Sequence, residues 1–135
     1  MTESAATPRW RRRVAVAVVL MLLLYWPLAF LATHVPMEDI SDSDLPLDKI
    51  FHFCSFGVIS FLLTGALGLQ RGWRWKWAVY AIAICAAYGV IDELTQIPFG
   101  RQADVKDWLM DVAGAATGAL IAATICEIAH RRRQR

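Results

Sequence analysis

The sequence predicts an all-α, polytopic membrane protein: an antiparallel bundle of four transmembrane helices with both termini cytoplasmic. Three observations carry this. Of the 135 residues 57% are hydrophobic, more than an ordinary soluble domain carries. Four apolar stretches reach or approach the ~20 residues that cross a ~30 Å hydrocarbon core at ~1.5 Å each. Eleven of the fourteen Lys and Arg residues fall in only three places: ahead of the first stretch, between the second and third, and behind the fourth.

The first span is expected at 14–32, where 19 residues pass without a charge. A basic tail, residues 1–13 with Arg9, Arg11, Arg12 and Arg13, precedes it. A cleaved signal peptide has a shorter apolar run of about 7–15 residues and a small-x-small cleavage site, so a retained anchor is expected. Pro27 removes a backbone donor in the outer third of this helix and should kink it. An acidic linker with Pro36 and Pro46 leads to the second span at 50–69, interrupted only by His52. A short turn holding Arg71, Arg74 and Lys76 then makes the second and third spans a helical hairpin.

The third span, 77–97, is apolar until Asp92 and Glu93. The connection to the fourth carries Pro98, Gly100, Arg101 and Asp104. The fourth span, 108–129, has small residues at helical spacing, Gly114, Ala115, Gly118 and Ala122, a face suited to close packing. The membrane domain is therefore 14–130, and residues 131–135 form a second basic tail. Glu127 and Arg131, four residues apart, should pair. Cys54, Cys85 and Cys126 lie inside apolar segments with no CxxC spacing and read as small buried residues.

The positive-inside rule puts both tails and the 70–77 turn in the cytoplasm, and the arginine tracts are explained by topology and anionic headgroups rather than nucleic acid. Trp10, Trp73, Trp75 and Trp77 mark the same inner boundary, and Trp26 and Trp108 the outer one.

Ten of the twelve carboxylates cluster at the opposite, extracytoplasmic side: Glu38, Asp39, Asp42, Asp44 and Asp48; Asp92 and Glu93; Asp104, Asp107 and Asp111. Counted from the inner ends of their helices, His52, Glu93 and Asp111 lie ~24–28 Å up, in one layer. Ionisable groups at the rim of a span are expensive and mark functional sites.

Helical spacing assigns faces. Asp48 and His52 are neighbours at i, i+4. Glu93 and Gln96 are paired at i, i+3. Asp107, Asp111, Gly114 and Gly118 form one stripe turned inward. Asp92 is offset about 100° from Glu93 and faces either solvent or another helix. The candidate site is Asp48, Lys49, His52, Glu93, Gln96, Arg101, Asp107 and Asp111, with Lys49 and Arg101 as counter-charges. Asp48 and Asp107 also suit the start of a helix, where a carboxylate caps free amides and complements the dipole. His34 and His130 read as loop or interface residues.

Asp48-Lys49-x-x-His52-Phe53-x-x-Phe56 at the opening of the second span resembles the start of VanZ-like membrane proteins. Tyr88-Gly89, Asp92-Glu93-x-x-Gln96, Arg101 and Asp107-x-x-x-Asp111-x-x-Gly114-x-x-x-Gly118 resemble the rest of that signature, over about residues 48–120. Two positions depart from it: Asp111 stands where the family usually has Asn, and Phe99-Gly100-Arg101 replaces Pro-Gly-Arg. The family is named for a protein linked to low-level teicoplanin resistance. The resemblance thus implies a multi-pass cell-membrane protein and a link to glycopeptide resistance, but no defined reaction.

The function expected is binding of an amphiphilic or lipid-linked cell-envelope molecule at the outward polar site, with membrane lipids as the surrounding partners. Two alternatives stay open: a metal-assisted or acid–base enzyme acting on an envelope lipid, and a structural or assembly role. No cofactor is expected. A divalent cation, Mg²⁺ or Ca²⁺ rather than Zn²⁺, is the one open choice for a single histidine among scattered acids. An ion pathway is disfavoured, because no ionisable relay continues through the inner part of the spans.

Overall fold

In a computed structural model, which describes residues 8–34, 47–132 and 134–135, each apolar stretch is a single helix. The helices are α1 (Arg9–Thr33), α2 (Leu47–Arg71), α3 (Lys76–Gln96) and α4 (Val105–Arg132), with a 3-10 turn at Ile97–Phe99 after α3. All four are long and apolar enough to cross a membrane, and there is no strand among the described residues. The linker acids Glu38, Asp39, Asp42 and Asp44, together with Pro36 and Pro46, lie outside the described residues.

Every helix runs beyond its apolar core into the polar flank. The residues Arg9 to Arg13, expected to precede the first span, form the opening turns of α1, with the Pro8 carbonyl accepting from the amides of Arg11 and Arg12. Hydrocarbon thickness limits the apolar run but not the helix, since side chains at the ends reach water. At α4 the extension ends on His130, Arg131 and Arg132, cations that complement the negative end of the helix dipole.

Consecutive helices run antiparallel, so α2 and α4 are parallel, and their contact is the closest in the bundle. A Cβ built on Gly114 would collide with the carbonyl of Phe53, and one on Gly118 with the carbonyl of Gly57. Glycine therefore lets the two backbones touch, as the small-residue face of the fourth span predicts. Around this seam the small side chains Cys85 and Ala115 pack with the larger Phe56, Ile59 and Leu22, and Ala78, Ala119 and Ala123 form a second patch.

Long side chains face outward instead, among them Leu20, Leu24, Val79, Ile91, Leu120 and Ile125, as a lipid solvent requires. Cys54 is also exposed on this face, which corrects the reading of all three cysteines as buried; Cys85 is buried and Cys126 half-buried.

The arginine-rich end is tied together by specific contacts. Arg11 donates to the Gly68 carbonyl at 3.1 Å, and Trp73 Nε1 donates to Glu127 Oε2 at 2.7 Å. Glu127 also accepts from Arg131 Nε at 2.6 Å, the pairing that their spacing predicts. Trp77 Nε1 closes the α2–α3 turn on the Gly72 carbonyl at 2.8 Å. The other end of the bundle gathers the C-termini of α1 and α3 with the N-termini of α2 and α4, and the acids converge there.

Candidate functional site

His52 occupies the centre of this polar end. It lies in the second turn of α2, is fully buried, and is reached from both sides by carboxylates. Its Nδ1 is 2.9 Å from Asp111 Oδ1 on α4 and 3.9 Å from Glu93 Oε1 on α3. Its Nε2 lies 3.9 Å from Asp48 Oδ1, one turn earlier on its own helix. Asp111 is held close by the packing of α3 on α4. A Cβ on Gly89 would come within 2.9 Å of Asp111 Oδ2 and 3.1 Å of Trp108 Cδ1, so the missing side chain makes the space the carboxylate fills.

A ring of ion pairs surrounds the buried centre. Arg101 Nη2 donates to both oxygens of Asp48, at 2.7 and 2.8 Å. The chain reaches that position through Gly100, whose φ of 82° is a left-handed conformation that glycine adopts without strain. Lys49 Nζ donates to Asp107 Oδ1 at 2.7 Å and lies 3.5 Å from Asp104 Oδ2. Glu93 Oε2 accepts the Asp104 backbone amide at 2.8 Å and so anchors the approach to α4. Asp104 Oδ1 accepts the Lys106 amide at 2.8 Å. That amide, with Lys49 beside it, holds the Asp104 carboxyl below its ordinary value.

Seven of the eight predicted site residues thus come together: Asp48, Lys49, His52, Glu93, Arg101, Asp107 and Asp111. Gln96 does not join them. Its Nε2 donates to Asp92 Oδ2 at 3.0 Å, because i, i+4 spacing puts it above Asp92 as closely as i, i+3 spacing puts it beside Glu93.

Asp92 turns toward α1 rather than solvent, and also accepts from Thr33 Oγ1 at 3.2 Å and Tyr88 OH at 3.4 Å. His34, one residue past α1, lies at this interface as expected, with Nδ1 2.7 Å from the Phe30 carbonyl and Nε2 3.2 Å from Thr95 Oγ1. A second, largely satisfied polar cluster therefore clasps α1 to α3 beside the first. Sequence reasoning missed it, although Tyr88, Asp92 and Gln96 form an i, i+4, i+8 ladder that could have disclosed it. It also left out Asp104.

Two features define what the first cluster can do. Five carboxylates, Asp48, Glu93, Asp104, Asp107 and Asp111, face two permanent cations, Lys49 and Arg101, and one imidazole. Its most buried members are also incompletely bonded: His52 Nε2, Glu93 Oε1 and Asp111 Oδ2 have no hydrogen-bond partner among the described residues. Two triplets, Asp48–His52–Asp107 and His52–Glu93–Asp111, offer ligand atoms within 4.8 Å of one another, close enough to share a cation.

Four membrane-length helices closing a buried acid–histidine centre at one end define a polytopic membrane protein with an ionisable site inside its bundle. The chain belongs to the VanZ/LLP1 family, whose family model matches residues 12–126. No curated protein and no solved structure matches it.

Proposed function

We propose that this VanZ/LLP1 membrane protein binds an amphiphilic or lipid-linked cell-envelope molecule, taking its polar head at the acid–histidine end of the bundle. The observation that carries the reading is the incomplete bonding of buried His52, Glu93 and Asp111 beneath a half-exposed rim of Asp48, Lys49 and Asp104. Buried polar groups are normally satisfied, and their exceptions call for a partner. The excess of carboxylates favours a head that carries positive charge or several donors. Long apolar side chains on the outer faces of the helices leave the same molecule a lipid environment for its tail.

The charge distribution supports an extracytoplasmic site: Lys and Arg crowd the opposite end, and the side rich in them is retained in the cytoplasm. Photo-crosslinking in native membranes, with lipid analogues carrying the reactive group at an amine-bearing head, tests the proposal. Capture concentrated on peptides containing His52 and Arg101 is expected; uniform labelling around the bundle overturns it. Its narrower form, a contribution to teicoplanin tolerance, is read from the inhibitory concentration in cells expressing the wild type or Glu93→Gln.

The carboxylates at both imidazole nitrogens of His52 favour a second reading, acid–base chemistry on the same class of molecule. Turnover of an envelope lipid by purified protein, lost in His52→Gln, separates catalysis from binding.

A further inference from the structure

We propose that His52 Nδ1, Glu93 Oε1 and the Asp111 carboxylate form a site for one divalent first-row transition cation, of the Mn²⁺ or Zn²⁺ kind. The three side chains come from α2, α3 and α4 and are buried, and their ligand atoms lie within 4.8 Å of one another. Crowded acids alone do not make a metal site. Here the second observation is that Glu93 Oε1 and Asp111 Oδ2 have no partner among the described residues, although both lie deep in the bundle. Two carboxylates buried against a single imidazole carry charge that the low-dielectric interior penalises, and a divalent cation would balance it.

The distances fit ligation. Two ligands on one ion with bonds of about 2.1 Å at right angles lie about 3.0 Å apart, and His52 Nδ1 and Asp111 Oδ1 are 2.9 Å apart. The 3.9 Å from Nδ1 to Glu93 Oε1 falls between adjacent and opposite positions on such an ion. On the far side of the ring, Nε2 faces Asp48 at 3.9 Å, and Asp48 is held by Arg101. A metal-bound histidine commonly directs its second nitrogen at such a carboxylate, which fixes the tautomer. Binding then leaves the ring proton on Nε2 and releases any proton on Nδ1 to solvent.

The alternative triplet, Asp48–His52–Asp107, is weaker, because Arg101 and Lys49 already neutralise its carboxylates. The sequence left Mg²⁺ or Ca²⁺ as the open choice for scattered acids, but the acids converge on His52, and an imidazole with two carboxylates favours Mn²⁺ or Zn²⁺ over ions that prefer oxygen alone.

The cation would occupy the same buried groups on which the head-group proposal rests, but its test contains no amphiphile, so either reading can fail without the other. Purified full-length protein in detergent, stripped of metal, is titrated with Mn²⁺ and followed by electron paramagnetic resonance, with Zn²⁺ competition. One Mn²⁺ per chain is expected, with the pulsed-spectrum nitrogen coupling of a directly bound imidazole. Glu93→Gln and Asp111→Asn should each weaken binding tenfold or more, while Glu127→Gln, at the other end of the bundle, leaves it unchanged. Folded wild-type protein that binds neither ion overturns the proposal, as does bound Mn²⁺ without imidazole coupling. Both outcomes are read on the wild type and so do not depend on the variants folding.

Discussion

The imidazole of His52 and the carboxylate of Asp111 meet at 2.9 Å across the α2–α4 seam, both fully buried. The pairing depends on backbone contact within the next two turns of both helices. Only where Gly114 and Gly118 bring α4 against the Phe53 and Gly57 carbonyls can two such short side chains touch between helices. The chemistry of the site and the packing of the seam are therefore one feature.

Removing one member of this pair strands the other in the interior. Breaking a buried, hydrogen-bonded pair costs about 3–5 kcal/mol, so Asp111→Ala should destabilise the metal-free protein by an amount in that range. His52→Ala should act similarly. Because the two losses describe one interaction, the double variant should fall short of their sum by about 0.5–3 kcal/mol. Denaturant unfolding in detergent, followed by circular dichroism, measures all three; full additivity would show that the pair is not coupled.

Glycine substitutions separate seam from surface. Gly114→Ala and Gly118→Ala force Cβ atoms into carbonyls of α2, and overpacking of this kind costs about 1–3 kcal/mol. Gly65 lies in the same helix as Phe53 and Gly57, yet a Cβ there meets nothing within 4 Å. Gly65→Ala should therefore be neutral or stabilise by up to about 1 kcal/mol, the ordinary gain of alanine over glycine in a helix. Thermal unfolding of the three variants in one detergent checks the order.

The four helices and the inward stripe Asp107, Asp111, Gly114 and Gly118 were legible because hydropathy and 3.6-residue periodicity are local properties. Gln96 was not, because its i−3 and i−4 neighbours are both acids and only the position of α1 decides between them. Tyr88 meets Asp92 by i, i+4 spacing within α3, but Thr33 reaches it only once α1 packs against α3, and no spacing within a single segment encodes that packing. The role of Asp104 escaped for a related reason. It contributes a backbone amide to Glu93, and a backbone amide carries no sequence signature.

Asp104 supplies the pH dependence of the rim. Its carboxyl is held below the ordinary 3.8 by the Lys106 amide, with Lys49 assisting, so the folded state favours its ionised form. A depressed carboxyl contributes stability that is fully present above the unfolded value and is lost as pH falls through the folded one. The difference in melting temperature between wild type and Asp104→Asn should therefore be level through neutral pH and shrink below about 3.8. A difference that grows on acidification would contradict this assignment.

Arg101 holds the connection between α3 and α4 over the site by donating from one nitrogen to both Asp48 oxygens. Lysine keeps the charge but not the planar donor group, so Arg101→Lys should release the connection rather than unfold the bundle. Hydrogen exchange should quicken in residues 97–104 while the protected amides of α2 and α4 stay slow. Equal acceleration throughout would assign Arg101 a role in global stability instead.

Orientation is the last quantity that the charge pattern predicts. Gln102 is exposed beside the acid–histidine centre, and Trp75 is exposed in the turn at the arginine-rich end. If Lys and Arg are retained inside, these two positions lie on opposite sides of the membrane. In a background with Cys54, Cys85 and Cys126 replaced by alanine, Gln102→Cys should react with a membrane-impermeant maleimide in intact cells. Trp75→Cys should react only after the membrane is opened. The reverse pattern would put the acid–histidine site in the cytoplasm and remove the envelope molecule as its ligand, while the cation site, built from residues of the bundle itself, would be untouched.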